Sequence, residues 1–426
     1  MREMKDSGIE WIGKIPKYWE ISKIHSVYSE RKQIVSDTEY APLSVTKNGI
    51  VPQLENAAKS DAHDNRKLVK RGDFVINSRS DRRGSSGISE LDGSVSLINT
   101  VMQPRNNMDN KYYNFVFKTE RFCDEFYRFG HGIVADLWST HWAEMKNICI
   151  PMPDLQEQQA IADYLDGECA RIDGIVTTQR QIIERLKEYK KSVITEAVTR
   201  GLNPNAPMKD SGIEWIGKIP EHWKISKLKY YSKYITDGTH TTPEYLADGV
   251  PFLSIKDISA GKLDFSNTKY ISQQQHEELS KHAPIEKGDI LFTRIGTLGV
   301  SVIVETDITF DIFVSVGLLK PKDNINTKHL NYVMNSEYYY QYIQLVKAGE
   351  GTSAAKFNLS DVSNSPIVCP PLSEQQAIAD YLDRKCGKID NIIEKRERMI
   401  ELMTEYKKSL IYECVTGKKE IVDVVE

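Results

Sequence analysis

The stretch LQEQQAIADYLD, Leu155 to Asp166, returns as LSEQQAIADYLD, Leu372 to Asp383, with only Gln156 against Ser373 separating the copies. An identity this long within one chain marks an internal duplication, and repeats decide architecture before local propensity does. Each copy follows a pair of prolines, Pro151 and Pro153 or Pro370 and Pro371, and opens an apolar pattern of helical period. Proline stops one element and readies the next, so each copy reads as the start of a long helix.

From Ile161 the apolar residues Ile161, Leu165, Ile172, Ile175, Ile182, Leu186, Tyr189 and Val193 keep the alternating three and four spacing of a heptad seam. The second copy matches with Ile378, Leu382, Ile389, Ile392, Met399, Met403, Tyr406 and Leu410. Polar residues fill the remaining seam positions, Glu168 and Gln179 in one helix and Lys385 and Arg396 in the other, which weakens packing but can fix partner and register. About 40 helical residues make a rod of roughly 60 Å. Neither helix can bury its stripe alone, and the obvious partner is the other copy. Antiparallel pairing relates the halves by an approximate two-fold axis and sets the globular parts near opposite ends; parallel pairing puts both at one end. The antiparallel arrangement is the expectation, because a chain with two different globular parts gains from separating them.

A second repeat precedes each globular part. Met4 to Ile24, MKDSGIEWIGKIPKYWEISKI, matches Met208 to Leu228, MKDSGIEWIGKIPEHWKISKL, at an offset of 204, whereas the helix openings are offset by 217. The second varied segment is therefore 13 residues longer, which suggests different loops on a similar scaffold. Trp11, Trp19, Trp215 and Trp223 flank the Gly-Lys-Ile-Pro turns and suit structural anchoring. The resulting division is residues 1–154 with the leader at 4–24, a helix at 155–200, a linker at 201–207, residues 208–371 with the leader at 208–228, a helix at 372–418 and a tail at 419–426. Both varied segments carry short extended stretches between Gly, Asn, Asp and Pro and then turn aromatic and helical, YYNFVFKTERFCDEFYRF in one and LNYVMNSEYYYQYIQL in the other. These aromatics read mainly as core packed onto a sheet, with base stacking as the alternative. The fold class is α+β: two mixed domains separated by two long helices, repeated with pseudo-two-fold symmetry.

At 426 residues, with 40% hydrophobic and 27% charged residues and a mean hydropathy of -0.45, the chain has room for two to four domains. No run of about 18 apolar residues suits a membrane span, and no apolar segment behind Met1 to Lys5 suits a signal peptide, so a cytoplasmic location is expected. Six scattered cysteines, without CxxC or zinc-like Cys/His spacing, read as reduced thiols with no metal. A formal net charge of -4 argues against coating nucleic acid by bulk charge and leaves room for local basic faces.

The order of leader, varied domain and EQQAIADYLD helix, twice over, resembles the specificity subunit of type I restriction-modification systems. The resemblance covers nearly the whole chain. It rests on the two helix openings, on the leader SGIEWIGKIPxxW, and on APLSVTKNGIVP (Ala41 to Pro52), DGTHTTPEY (Asp237 to Tyr245) and GVPFLSIKDI (Gly249 to Ile258), which look like parts of that family's target-recognition domains. It implies a non-catalytic subunit whose two domains each read half of a bipartite, asymmetric double-stranded DNA site, with the helices as spacer. It also implies two methyltransferase subunits assembled on the helices and restriction subunits joining them, with S-adenosylmethionine, ATP and Mg bound by those partners and no cofactor by this chain. The residues fit that division: there is no Asp/Asn-Pro-Pro-aromatic motif, no GxxxxGK[ST] loop and no convincing PD-ExK set. Cys369-Pro370-Pro371-Leu372 has only the double proline, and His131 and His240 have no acid or nucleophile in view.

Candidate DNA contacts come from both varied domains. Between Asp61 and Arg83 seven basic residues, Arg66, Lys67, Lys70, Arg71, Arg79, Arg82 and Arg83, face four acids, a local net of +3. The strand Phe74-Val75-Ile76 delivers Arg79 into the loop SDRRGSSG, where arginines can grip guanine and Ser85 and Ser86 can meet phosphates. In the second domain Ile290-Leu291-Phe292 leads to Arg294, expected as the counterpart of Arg79, with Thr297 beyond. Thr239, His240 and Thr241 cluster on a turn, Lys256 ends an expected strand, and Lys47 with Asn48 holds a comparable place in the first domain. Lys356, ending GEGTSAAK, and the segment GHGIVAD from Gly130 to Asp136 precede the last element of each domain and can line a groove. The competing reading is a coiled-coil scaffold whose globular domains bind proteins, which net acidity favours and the arginine loops oppose.

Overall fold

The computed structural model of the chain describes residues 2–54, 63–132, 138–348 and 355–421. It divides into two compact units, Met1–Gln179 with Arg398–Glu426, and Arg180–Glu397. Each unit thus combines one leader, one varied segment, the opening of one long helix and the closing part of the other.

In the first unit, Met4–Asp6 pairs with Lys14–Pro16, and Glu20–Lys23 pairs with Cys149–Met152, the strand that runs into the helix Leu155–Arg200. The central sheet is antiparallel in the order Ser86–Ile88, Phe74–Asn77, Asn99–Pro104, Tyr28–Glu30. Alternation along Phe74–Asn77 sends Phe74 and Ile76 to one face and Val75 to the other. The first face packs with Tyr28, Tyr112, Tyr113, Phe117 and Phe122, and the second with Leu43, Val69, Val95 and Val101. The aromatic run is therefore core, as its helical spacing predicted. The outer layer is the sheet Gly93–Ser96, Arg66–Val69, Ile34–Val35 and the hairpin Leu43–Thr46/Gly49–Pro52.

The second unit repeats this plan. Met208–Asp210 pairs with Lys218–Pro220, Lys224–Lys227 with Pro366–Cys369, and the central order is Ser301–Ile303, Ile290–Thr293, Val316–Pro321, Ser232–Asp237. Ile290 and Phe292 join the core of Trp223, Leu330, Tyr338 and Tyr339, while Leu291 faces Leu253, Phe310 and Ile312. The outer layer differs: Val250–Leu253 pairs antiparallel with Lys269–Ile271 and parallel with Asp311–Ile312.

The repeated residues do the same work in each unit. Trp19 donates its indole N–H to Glu157 at 2.7 Å, and Trp223 donates to Glu374 at 3.0 Å. Gln158 is buried, donates to the Pro153 carbonyl and accepts from the Asp109 N–H, the cap of helix Asn110–Lys118; Gln375 does likewise with Pro370 and Asn326. A buried amide that satisfies two backbone groups at once explains why glutamine recurs. Glycines end the long helices against the tryptophans. At Gly417 (φ 69°) a Cβ would lie 2.4 Å from Pro16 and 3.0 Å from Trp19, and at Gly201 (φ 72°) it would lie 3.0 Å from Trp223. The tryptophans are anchors, as their place beside the turn suggested.

The helices run antiparallel. In the first unit Lys419 lies over Tyr164 and Lys407 binds Asp173 at 2.6 Å, so rising numbers in one helix meet falling numbers in the other. In the second unit Lys190 binds Asp390 at 2.7 Å. Asp390 is Asp173 advanced by 217 and Lys190 is Lys407 set back by 217, so the same tie recurs with the helices exchanged. The seam needs one correction. Positions 165, 172 and 193 are buried as expected, but the intervening ones fall a residue later: Cys169, Val176 and Ile183 are buried, while Ile175 and Ile182 are half-buried and Tyr189 is exposed. In the second helix Cys386 replaces Lys385, Ile393 replaces Ile392, and Tyr406 is exposed. The second helix ends at Val415. Adjacent apolar pairs such as Ile182-Ile183 and Ile392-Ile393 satisfy either spacing, so only the partner surface chooses. Among the described residues no helix is long and apolar enough to cross a membrane, and no three His, Cys, Asp or Glu side chains gather as metal ligands.

Candidate nucleic-acid interface

In the first unit the candidate surface lies beyond the end of strand Phe74–Asn77. Side chains alternate, so Ser78 is buried, and Arg79 points outward. The Arg79 N–H is held by the Asn77 side chain at 3.0 Å, and its backbone bridges Ser139. Arg82 pairs with Asp81 at 3.6 Å, and Arg83 binds Asp124 and the Glu120 carbonyl. Lys47 is exposed at the tip of the hairpin Leu43–Thr46/Gly49–Pro52. Burial pushes the Cys123 thiol up, and Arg83 and Lys47 oppose that rise, which puts both cations on the same side of the domain.

Several expected contacts are not on the surface. Ser86 is fully buried in the strand Ser86–Ile88, and Ser85 is buried with its carbonyl accepting from Asn77 at 2.9 Å. Side chains buried in this way do not offer their hydroxyls to a phosphate. The local basic excess is also smaller than its count. Arg66 is buried against Ser94, Lys67 donates to the Asn99 carbonyl, and Lys70 and Arg71 bind Asp92 and Glu90. Burial lowers the pKa of Arg66 and Lys67. Asp61, residues 133–136 of GHGIVAD and residues 349–354 of GEGTSAAK lie outside the described residues.

In the second unit Arg294 is not the counterpart of Arg79. The Arg294 carbonyl accepts from Phe357 as that of Ser78 accepts from Thr140, and Ile295 bridges Lys356 as Arg79 bridges Ser139. Arg294 therefore occupies the inward position of Ser78. It is 8% exposed and binds Asp237 and, at 3.2 Å, the Val314 carbonyl. Asp237 in turn holds His240 through Nε2 at 3.1 Å. A charge-assisted pair out of water is structural first. The other candidates are accessible: His240, Thr241, Thr297 and Lys356 are exposed, and Thr239 is half-buried. Thr239 and Thr241 share their hydroxyls at 3.0 Å, and Lys256 donates to the Asn267 carbonyl at 2.7 Å, which ties it down. The backbone ladder through Ile295, Lys356 and Ala348 sets Lys356 beside the Thr297 loop.

Sequence reasoning passed over Trp138 and Tyr127, whose rings stack with centroids 5.4 Å apart beside Arg79. Tyr127 sits in an aromatic run that is otherwise core, and its second-domain equivalent is Gln344, so no repeat drew attention to it.

A repeated frame carrying two domains that differ in their end loops makes a two-module protein. The family model "Type I restriction modification DNA specificity domain" matches residues 220–402. The chain is 27% identical over 281 residues to the type I restriction enzyme MjaVIII specificity subunit of Methanocaldococcus jannaschii, covering 64% of this chain and 62% of that one, under two thirds of its length. It is 22% identical over 445 residues to the EcoKI specificity subunit of Escherichia coli, covering 95% and 90%. A solved structure from work on complex assembly and conformational transition of the type I R-M system shares the fold at a TM-score of 0.69 and 15% identity, covering 95% of this chain and 99% of that one. Residues 220–402 thus match the type I restriction modification DNA specificity domain, and the chain as a whole is similar to type I restriction enzyme specificity subunits.

Proposed function

We propose that the chain is the DNA-recognition subunit of a type I restriction-modification complex. Each domain reads one half of a bipartite, asymmetric double-stranded site, and the two helices set the spacer. The observation that carries this reading is the contrast between invariant anchors (Trp19-Glu157 and Gln158 against Trp223-Glu374 and Gln375) and the different side chains at the equivalent tips. Arg79, Arg82, Arg83 and Lys47 serve one tip, and Thr239, His240, Thr241, Thr297 and Lys356 the other. The helices also leave apolar side chains uncovered: Tyr189 and Ile392 in the second unit, and Met399, Leu402 and Tyr406 in the first. These suit two methyltransferase subunits, which restriction subunits then join. The chain itself does no chemistry and binds no cofactor; S-adenosylmethionine, ATP and Mg belong to the partners. The complex works in the cytoplasm.

Exchanging residues 25–150 for the equivalent domain of another specificity subunit tests the reading. Sequencing of methylated adenines in cells should show one half-site replaced, with the other half-site and the spacer kept. An unchanged motif would sink it, and absence of salt-dependent duplex binding by the assembled complex would favour the protein-binding scaffold instead.

A further inference from the structure

Trp138 is held in place by its neighbours. Its ring stacks on Tyr127 with the planes 26° apart, and its indole N–H donates to the Tyr127 carbonyl at 2.9 Å. Beneath it, Gly130 leaves no slack, since a Cβ there would lie 2.5 Å from the indole nitrogen. The next residue, Ser139, pairs through its backbone with both Arg79 and His131. Trp138 and Arg79 consequently line the same crevice, whose floor is Ile76, Phe117, Phe122 and Phe126. Arg82 and Arg83 have carboxylate partners, whereas among the described residues the Arg79 guanidinium has none.

This pairing selects a ligand chemistry. With its N–H already used, the indole offers only carbon, so it cannot choose between bases by hydrogen bonding. It is also half-buried, so it does not stand out as an intercalating wedge does. A free guanidinium matches the O6 and N7 of guanine in the major groove, and apolar carbon beside it matches the one methyl group that groove displays, on thymine C5. We propose that Trp138, held by Tyr127, packs against the C5-methyl of a thymine in the first domain's half-site while Arg79 grips the adjacent guanine, which makes Trp138 a specificity-determining residue. The inference rests on the DNA-reading function above. Ile295, Gln344 and Ala355 stand at the equivalent places in the second domain, so the other half-site has no such contact.

The test alters the DNA. The methylated motif is read from cells, the half-site that changes on exchange of residues 25–150 is identified, and each thymine in it is replaced by deoxyuridine, which lacks only the methyl. The full chain, assembled with its methyltransferase subunits, should bind one of these duplexes about fourfold more weakly, the worth of one buried methyl. In Trp138→Ala that loss should vanish, and in Trp138→Phe it should persist in part, while deoxyuridine in the other half-site acts equally on all three proteins. Equal binding of every thymine and deoxyuridine duplex by the wild-type complex overturns the proposal, as does a first half-site without a guanine beside a thymine. Because the wild-type arm needs no variant to fold, it decides by itself. Failure to bind the motif at all would overturn the DNA-reading function too, and is thereby distinguishable.

Discussion

Two arginines one place apart in their strands have opposite fates. Ser78 follows strand Phe74–Asn77 and points inward, so Arg79 emerges on the surface; Arg294 follows Ile290–Thr293 at once and points inward to Asp237. A shift of one residue moves a side chain to the other face of a strand. The comparison teaches that a shared backbone does not imply a shared surface: the first domain presents guanidinium and indole, the second hydroxyls, an imidazole and an ammonium.

The frame beneath the two heads should respond alike in both halves. Trp19→Ala and Trp223→Ala each empty a fully buried site and should each cost about 4 kcal/mol, measured by urea unfolding. A large effect in one half alone would break the equivalence. The heads should respond oppositely. Arg294→Ala leaves Asp237 buried without its guanidinium, with only His240 beside it, and should cost about 3 kcal/mol, whereas Arg79→Ala should change stability by no more than about 0.5 kcal/mol while weakening duplex binding. If Arg79→Ala were the more destabilising, the assignment of the two arginines would be reversed.

Acid should also separate the halves. Burial pushes His329 from its ordinary 6.5 down to about 4, and neither ring nitrogen has a partner among the described residues. The folded state keeps the ring neutral, and the unfolded chain takes up its proton first as pH falls. Its contribution is therefore full above pH 6.5 and is lost as pH drops to about 4, by up to roughly 3 kcal/mol. The equivalent residue in the first domain is Tyr112, which stays neutral throughout, its burial raising the pKa. Hydrogen exchange at pH 7 and pH 4.5 should show helix Thr327–Met334 loosening more than Asn110–Lys118, and His329→Phe should remove the difference. The smallest effect belongs to the helix ties. Asp173→Asn and Asp390→Asn each weaken a largely exposed pair and should cost less than about 1 kcal/mol, equally in both units. A strongly unequal cost would show that the two ties differ.

Duplication made much of this protein legible. Matching leaders and helix openings announced two modules, the helical period running on from EQQAIADYLD marked the two long helices, and aromatic spacing assigned Tyr112, Phe117, Phe122, Tyr338 and Tyr339 to the cores. Candidate contacts were less legible, because residue type reveals chemistry without direction. Ser85 and Ser86 looked like phosphate ligands and are buried, while Trp138 lacked a repeated partner to mark it.

The sequence by itself determined that there are two modules on one frame, because long stretches of matching residues that recur in the same order must meet matching surroundings. Tertiary structure alone decided which way each side chain faces: Cys169 over Glu168 in the seam, Arg79 outward and Arg294 inward. The physical reason is common to both cases. Spacing fixes the period of a helix or strand, but its phase is set by the surface that covers it.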